Sequence, residues 1–329
     1  MSNDYSDDQL RLVARLYHLD GLGQTEVARF AKISQAKVSR LLTVARERGI
    51  VRISVADYEP RRRELEDELS RQLGLSTVVV LKGNGGLQGP ELRRVVGHFG
   101  AGVVDSLIQP GDIVALAGGR TIHELVQQLP ATRTKSLSIV QAMGSVDSTV
   151  NVFDAQEVGR MMAQRLGGVF LSLNTPAFIP ELRTRDAILE LQQVRSVHQQ
   201  LDRARVALVG LGTLSNSVFV ERGTLDATMV TELAAAGAVG EVCGRFIDAA
   251  GNECATGWRD RVIGIRIDQL RKIPEVIAVV SGSDRSEVIL AAIAGGLIKS
   301  LVIDEVGASA LLASIPIPKR STLKKKARP

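Results

Sequence analysis

QTEVARFAKISQAKVSRLL, residues 24–42, sets Val27, Ala28, Ile33, Val38, Leu41 and Leu42 at the steps of two short helices packed across a tight turn. Ser34 stands where an N-cap belongs, because its hydroxyl can accept from backbone N–H groups left free in the next turn. With Ser34 capping, Gln35, Ala36, Lys37, Ser39 and Arg40 point outward while Val38, Leu41 and Leu42 turn inward. The outward side chains are short, amide-bearing or cationic, able to hydrogen-bond base edges and neutralise phosphate. That is the work of a recognition helix in a major groove. A helical hairpin with a solvated basic face has the same spacing, so the flanks decide between the two.

Ahead of this stretch, Ser6 or Asp7 can open a helix with Leu10, Val13, Ala14 and Tyr17 along one face, and Gly21 and Gly23 close it. Behind it, GIVRISV (residues 49–55) alternates apolar and polar residues and predicts a short strand. From Gln24 to Arg52 the cations are Arg29, Lys32, Lys37, Arg40, Arg46, Arg48 and Arg52, opposed only by Glu26 and Glu47. That local excess equals the whole-chain net charge of +5, so the positive field is concentrated where a helix-turn-helix would face DNA. Gln24, Thr25, Ser34, Gln35, Lys37, Ser39 and Arg40 are therefore expected at the DNA, with Arg46, Arg48 and Arg52 nearer phosphate.

The 329 residues, 45% hydrophobic and 23% charged, allow a large core and two or three domains. Aromatic residues are scarce at 3% and glycines number 31, which favours an α/β protein with many strand–helix turns. Cys243 and Cys254 have neither CxxC spacing nor histidine neighbours, so no disulfide framework or metal site is expected. The acidic start MSNDYSDDQL lacks an apolar signal core, and the apolar run at residues 288–298 is too short to span a bilayer. A soluble, cytoplasmic protein without membrane association is the expectation.

From Ser76 onward, strand-like runs alternate with helical patterns: TVVVL (77–81), DIVALAG (112–118), LSIVQAM (137–143), VALVGLG (206–212), VIAVV (276–280) and SLVID (300–304). Continuous apolar strands separated by amphipathic helices imply a parallel sheet covered on both faces, whose ligands collect at the strand C-termini. Three strand ends offer anion chemistry. In AGGRTIHEL, Gly118 and Gly119 follow a strand, and Arg120 and Thr121 open a helix. VALVGLGTLSNS repeats the glycine pair with several hydroxyls. VVSGSDRSEV places Arg285 in the first turn of a helix, where a cation opposes the helix dipole by about 0.3–1 kcal/mol and an anion would relieve it; a surface ion pair with Asp284 or Glu287 is the alternative. Two helix N-termini and the guanidinium groups of Arg120 and Arg285, aimed at one pocket, would form an unpaired positive cluster without an anion.

Two sets of motifs carry a family resemblance. ARLY, GLGQTEVA, S-x-x-K-VSRLL and AR-x-RGIVRI resemble the DNA-binding module of SorC/DeoR-type sugar-responsive transcriptional regulators. GGRT, VQAMGS, LNTPAF, LVGLGT, GAVGEVCGRFIDAAG, VIGI-x-x-x-x-L and AAIAGGLIKSLVIDE, spread over residues 76–312, resemble the effector domain of the same family, a Rossmann-like fold of the sugar-phosphate isomerase/deaminase type. The resemblance implies that Gly118, Gly119, Arg120 and Thr121 hold an effector phosphate, with Arg222 and Glu241 at its hydroxyl end. It also implies that Arg285 replaces the common phosphate-loop lysine, with a different reach. Where deoxyribose-phosphate-responsive relatives carry a Schiff-base lysine this chain has Met143, so Met143, Asp147 and Asp154 are expected to shape the pocket rather than bind an aldehyde covalently.

The expected organisation is a helix-turn-helix domain at residues 1–56, a linker helix at 57–75, an effector-binding and oligomerisation domain at 76–316, and a basic disordered tail at 317–329. The expected function is sequence-specific regulation of a carbohydrate or polyol operon. The expected partners are double-stranded operator DNA, a small phosphorylated sugar or polyol, and further copies of the chain in a dimer or tetramer. No cofactor, metal or catalytic residue is expected. The alternative is a sugar-phosphate isomerase- or deaminase-like enzyme with an appended DNA module. Of the four histidines, only His123 adjoins a strand end; with Glu124 it could act as an acid/base pair, or lie simply on a helix surface.

Overall fold

The computed structural model describes residues 5–83, 86–146 and 151–316, which form two compact units divided between Glu59 and Pro60. Asp147 and the basic tail lie outside the described residues.

The first unit holds three helices, α1 (Asp7–His18), α2 (Gln24–Phe30) and α3 (Gln35–Glu47). Ser6 caps α1 through Gln9 N–H at 3.3 Å, and Ser34 caps α3 through Lys37 N–H at 3.2 Å, as the sequence predicts. Between α2 and α3 the chain turns through Lys32, whose φ of 52° is left-handed, and Ile33 N–H donates to Ala28 O. Leu10, Val13, Val27, Val38, Leu41 and Ala45 make the fully buried core of this small unit.

The strand predicted at 49–55 does not form. Gly49, at φ 70°, and Val51, whose N–H donates to Ala45 O, close the end of α3. Ile50 and Val51 pack on the three-helix core, whereas Ile53 and Val55 are 59% and 80% exposed. Their alternation comes from a helix closure running into an extended segment, with no neighbouring strand among the described residues to pair with.

The second unit opens with α4 (Arg63–Leu73), β1 (Thr77–Leu81), α5 (Gly89–Leu107), β2 (Ile113–Leu116), α6 (Arg120–Gln128) and β3 (Leu137–Gln141). It continues through α7 (Ala155–Leu166), β4 (Gly168–Leu171), α8 (Leu182–Glu190), α9 (Gln192–Leu201), β5 (Val206–Val209), β6 (Gly212–Thr213), α10 (Val218–Glu221) and α11 (Ala227–Ala235). It ends with β7 (Ala238–Val242), β8 (Arg245–Asp248), α12 (Ile267–Lys272), β9 (Glu275–Val279), α13 (Ser286–Ala294), β10 (Ser300–Asp304) and α14 (Glu305–Ser314).

Seven strands form one sheet in the order β1-β10-β9-β5-β2-β3-β4, every pair parallel. All six predicted runs lie in it, because Val, Ile and Leu on both faces are buried by helices. VALVGLG, however, stops at Val209, and Gly212 and Thr213 leave for a second, antiparallel sheet, β6-β7-β8. That small sheet was not read from GAVGEVCGRFID, whose glycines and charges break any apolar run, nor was the exposed edge strand β4. α4 covers β1 and adds Leu69 to the core; buried Glu66 accepts two hydrogen bonds from Arg61, at 2.7 and 2.8 Å, and one from Val80 N–H.

Helices α5 and α6 touch through Gly97, where an added Cβ would lie 2.5 Å from the Glu124 carbonyl carbon. Gly97→Ala is expected to destabilise by about 1–3 kcal/mol, read as a lowered thermal midpoint. In Gly102→Ala, on the same helix with nothing within 4 Å of the new methyl, stability should hold or rise by up to about 1 kcal/mol. Equal melting of the two variants would show that the helix contact is not what fixes α5.

Candidate functional site

At the C-terminal edge of the sheet, β2 and β5 are neighbours that pass the chain in opposite directions. β2 leads through α6 to β3 on one side, while β5 leads towards β9 on the other. Such a reversal opens a crevice between the two departing turns, and ligands of open α/β sheets bind there.

Three turns meet at this crevice. Gly119, at φ 136° in a region closed to most side chains, donates its N–H to Phe153 O at 2.8 Å, and an added Cβ on Gly118 would strike the backbone at residues 153–155. The Thr121 hydroxyl lies 3.4 Å from that of Ser281, which joins this turn to the one after β9. There Gly282 N–H donates to the buried Asp304 carboxylate at 2.6 Å, which also caps α14 through Val306 and Gly307 N–H. Arg285 then reaches across to the turn after β5, donating to Leu211 O at 3.1 Å.

Arg285 is the N-cap of α13 rather than a residue of its first turn. Nor are the two cations unpaired. Arg285 donates to Ser281 O at 2.6 Å and pairs with Asp284 at 2.5 Å, and Asp284 accepts from Asn216 at 2.7 Å. Arg120 faces Glu221, at the end of α10, at 3.5 Å. Burial pushes Arg285 below the ordinary arginine value, Asp284 pulls it back up, and Arg120 lowers it further. Sequence reasoning missed a third guanidinium, Arg93 on α5. It is half-buried, lies within the electrostatic reach of Arg120 and Arg285, and has no hydrogen bond or ion pair among the described residues. The signal was present in GPELRR, since a parallel sheet directs every crossover helix's N-terminus to this edge.

The remaining predicted residues fall on two sides. Arg222 is exposed at the end of α10, next to Glu221. Asp154 caps α7 by position and spends a carboxylate oxygen on Asn151 N–H at 2.7 Å. Glu241 on β7 is buried and accepts from Gly244 N–H at 2.8 Å, with the Ser217 hydroxyl at 3.5 Å. Met143 is buried beside Gly244, so the line Asp284, Asn216, Ser217, Glu241, Gly244, Met143 connects the anion turns to the apolar cluster around Trp258. His123 is not on the surface: it is buried edge-on to Phe153, bonded to Gln127, and held below the ordinary histidine value by burial. Among the described residues no His, Cys, Asp and Glu cluster could hold a metal ion, and no helix is long and apolar enough to cross a membrane.

A second hollow of about 270 Å³ lies between α8, α9 and residues 262–266, lined by Arg185, Arg195, Arg245 and Arg266. Its arginines are matched by Asp186, Glu190, Glu253 and Asp268, and Asp202 adds a carboxylate.

In the first unit, Gln35, Ser39, Arg40, Arg46 and Arg52 are exposed, as are Thr25 and Ser34, while Gln24 is half-buried. Arg40 Nε turns back to Ala36 O at 3.3 Å. Lys37 lies 5.9 Å above the Tyr5 ring, and Arg48 ties α3 to the start of α1 through Asp7 at 3.1 Å and Tyr5 O at 2.9 Å.

A capped three-helix unit that fits a DNA-binding domain precedes a parallel α/β unit, the build of a transcriptional regulator. The sequence profile described as "Putative sugar-binding domain" matches residues 60–313, and the chain belongs to that family. Its full-length relatives are transcriptional regulators. It is 28% identical to the deoxyribonucleoside regulator of Bacillus subtilis over 94% of this chain and 99% of that one. It is also 28% identical to the regulator YjhU of Escherichia coli over 95% of this chain and 96% of that one. The crystal structure of the full-length sorbitol operon regulator SorC from Klebsiella pneumoniae superposes with a TM-score of 0.75 at 28% identity, covering 94% of this chain and 100% of that one. The SorC/DeoR-type resemblance read from the motifs thus holds from end to end.

Burial raises Glu241 above the ordinary carboxylate range, against the pull of Gly244 N–H and Ser217. A folded-state value raised in this way favours the protonated form. Its stabilising contribution is complete below the unfolded-state carboxylate range and is lost as pH rises through the folded-state value. Relative to Glu241→Gln, the wild type should lose melting temperature as pH climbs from acid to alkaline of that range. A constant difference between the two at all pH values would remove the burial argument.

Proposed function

We propose that the protein binds operator DNA through α3 and is switched by one small phosphorylated sugar or polyol held in the crevice between β2 and β5. The observation that carries this reading is the meeting of three glycine- or hydroxyl-bearing turns and the guanidinium groups of Arg120 and Arg285 at the reversal of strand order. Gly118, Gly119, Arg120, Thr121 and Arg285 hold the phosphate in this reading, while Arg222 and Glu241 face the hydroxyl end, with Met143 and Asp154 shaping the walls. The relatives' names support a carbohydrate or nucleoside connection: one is a sorbitol operon regulator, another a deoxyribonucleoside regulator. One helix-turn-helix reads only a few base pairs, so the functional form is a homo-oligomer, assembled mainly through the second unit.

At the DNA, Gln35, Ser39 and Arg40 are the exposed candidates for base edges, with Arg46 and Arg52 at phosphate. Arg40→Ala should cost about 1–3 kcal/mol and relax specificity at one position if Arg40 reads a base. A phosphate contact would instead weaken all sequences alike and reduce the slope of log affinity against log salt by about one. Titrations on the native operator and on single-base variants at several salt concentrations separate the two; unaltered binding would refute the recognition-helix assignment.

In the crevice, Arg285→Ala should abolish the effector response while leaving operator binding intact. Because Arg285 also bonds Leu211 O and Ser281 O, the variant's melting is checked alongside. Calorimetry with a sugar phosphate and its unphosphorylated parent tests the reading. Equal affinity for both, unchanged by Arg285→Ala, would exclude a phosphate site.

A further inference from the structure

Helices α5 and α6 both run back from the C-terminal edge of the same parallel sheet, so they lie parallel. Gly97 packs on Glu124, and His98 Nδ1 lies 3.2 Å from the Gln128 side chain, which fixes their register. One turn nearer the sheet edge on each helix, this register sets Arg93 beside Arg120. Arg120 begins α6 directly after the Gly118–Gly119 turn, and Thr121 links that turn to Ser281 and hence to Arg285.

We propose that Arg93 is the third guanidinium of the crevice and sets its preference for a doubly charged phosphate over a singly charged anion. The inference rests on the crevice being the effector site. Arg120 and Arg285 each have a carboxylate partner, Glu221 and Asp284, which leaves them one matched charge apiece. Arg93 has none among the described residues; Glu91 and Glu124 act on it only from beyond ion-pair distance. It is also half-buried, on a helix whose position is pinned by the glycine contact at Gly97. Arginine is held below its ordinary value here by burial first, and then by Arg120 and Arg285. A dianion supplies two negative charges whose oxygens accept charge-assisted hydrogen bonds donated by one free guanidinium and two shared ones.

The test uses the full-length protein and two probes at a single pH: methyl phosphate, doubly charged, and dimethyl phosphate, singly charged. The wild type should prefer methyl phosphate by about tenfold or more, the scale of one charge-assisted hydrogen bond. Arg93→Gln should cut methyl phosphate affinity about tenfold and leave dimethyl phosphate within about threefold, erasing the preference; Arg93→Lys should restore part of it. Arg94→Gln, on the exposed neighbour, controls for helix damage, and its melting and binding should match wild type. Should methyl phosphate bind in a manner dependent on Arg285 while Arg93→Gln keeps the full preference, the role of Arg93 fails and the effector site stands. Should the wild type bind neither probe nor any sugar phosphate, the effector-site reading fails and the role of Arg93 with it.

Discussion

The crevice exists because two hydrogen-bonded neighbours, β2 and β5, send the chain to opposite sides of the sheet. No helix can cross the gap at that point, so the sheet edge stays open there. Parallel strands also fix helix direction: each crossover helix must return antiparallel to its strands, which presents its N-terminus at the same edge. α5, α6 and α13 therefore bring the positive ends of three dipoles to one place, and Arg93, Arg120 and Arg285 arrive with them. Topology, rather than any local motif, concentrates the charge.

Close backbone contacts keep that arrangement from relaxing. Gly118 sits where an added Cβ would meet the amide nitrogen of Ala155 at 2.7 Å, and Gly97 sits against Glu124. The Asp304 carboxylate, fully buried, uses both oxygens on three backbone N–H groups and ties the turn after β9 to the start of α14. A buried carboxylate is tolerable only when its lone pairs are met in this way. Removing its side chain would leave Gly282, Val306 and Gly307 without an acceptor and release the turn that carries Arg285.

Most of the architecture was legible in the sequence because the signals were local. Ser6 and Ser34 cap the helices they precede, and each apolar run became a buried parallel strand. The glycine- and hydroxyl-bearing turns at the strand ends were legible for the same reason, because each directly follows an apolar run. What escaped was non-local. The hairpin β7–β8 is held by pairing with β6 and by Trp258, not by its own apolar pattern. His123 looked like a surface residue because nothing in its helix reveals Phe153 lying edge-on to it from another crossover. The partner of Arg120, Glu221, stands 101 positions away, so its pairing could not be read from charge counts, whereas the Asp284 that pairs with Arg285 is its neighbour in the chain. Val51 to Val55 misled in the opposite direction: an alternating pattern predicts a strand only where another strand is available to receive it.

In the proposed reading an anion meets one guanidinium without a partner among the described residues, Arg93, but at Arg120 and Arg285 it exchanges partners. It must draw Arg285 from Asp284, and Arg120 from Glu221, so its net gain is the difference between two charge-assisted sets. The two exchanges differ in cost. Arg285, 20% exposed and fixed by two carbonyl oxygens as well, can accept an anion with little movement of its own. The Arg120–Glu221 pair, with side chains 43% and 52% exposed, is weak and breaks for at most about 1 kcal/mol. Breaking it frees the end of α10, whereas the turn held by Asp304 stays as it is. A ligand can shift DNA affinity only through contacts that differ between two arrangements of the protein, and a tenfold shift requires about 1.4 kcal/mol of such difference. An exposed pair contributes at most about 1 kcal/mol, so the exchange at Arg120 alone falls short of that amount. In the proposed reading an anion is therefore held mainly on the Arg285 side, where two carbonyl oxygens already fix the guanidinium, and the exposed Arg120–Glu221 pair is the contact it changes most.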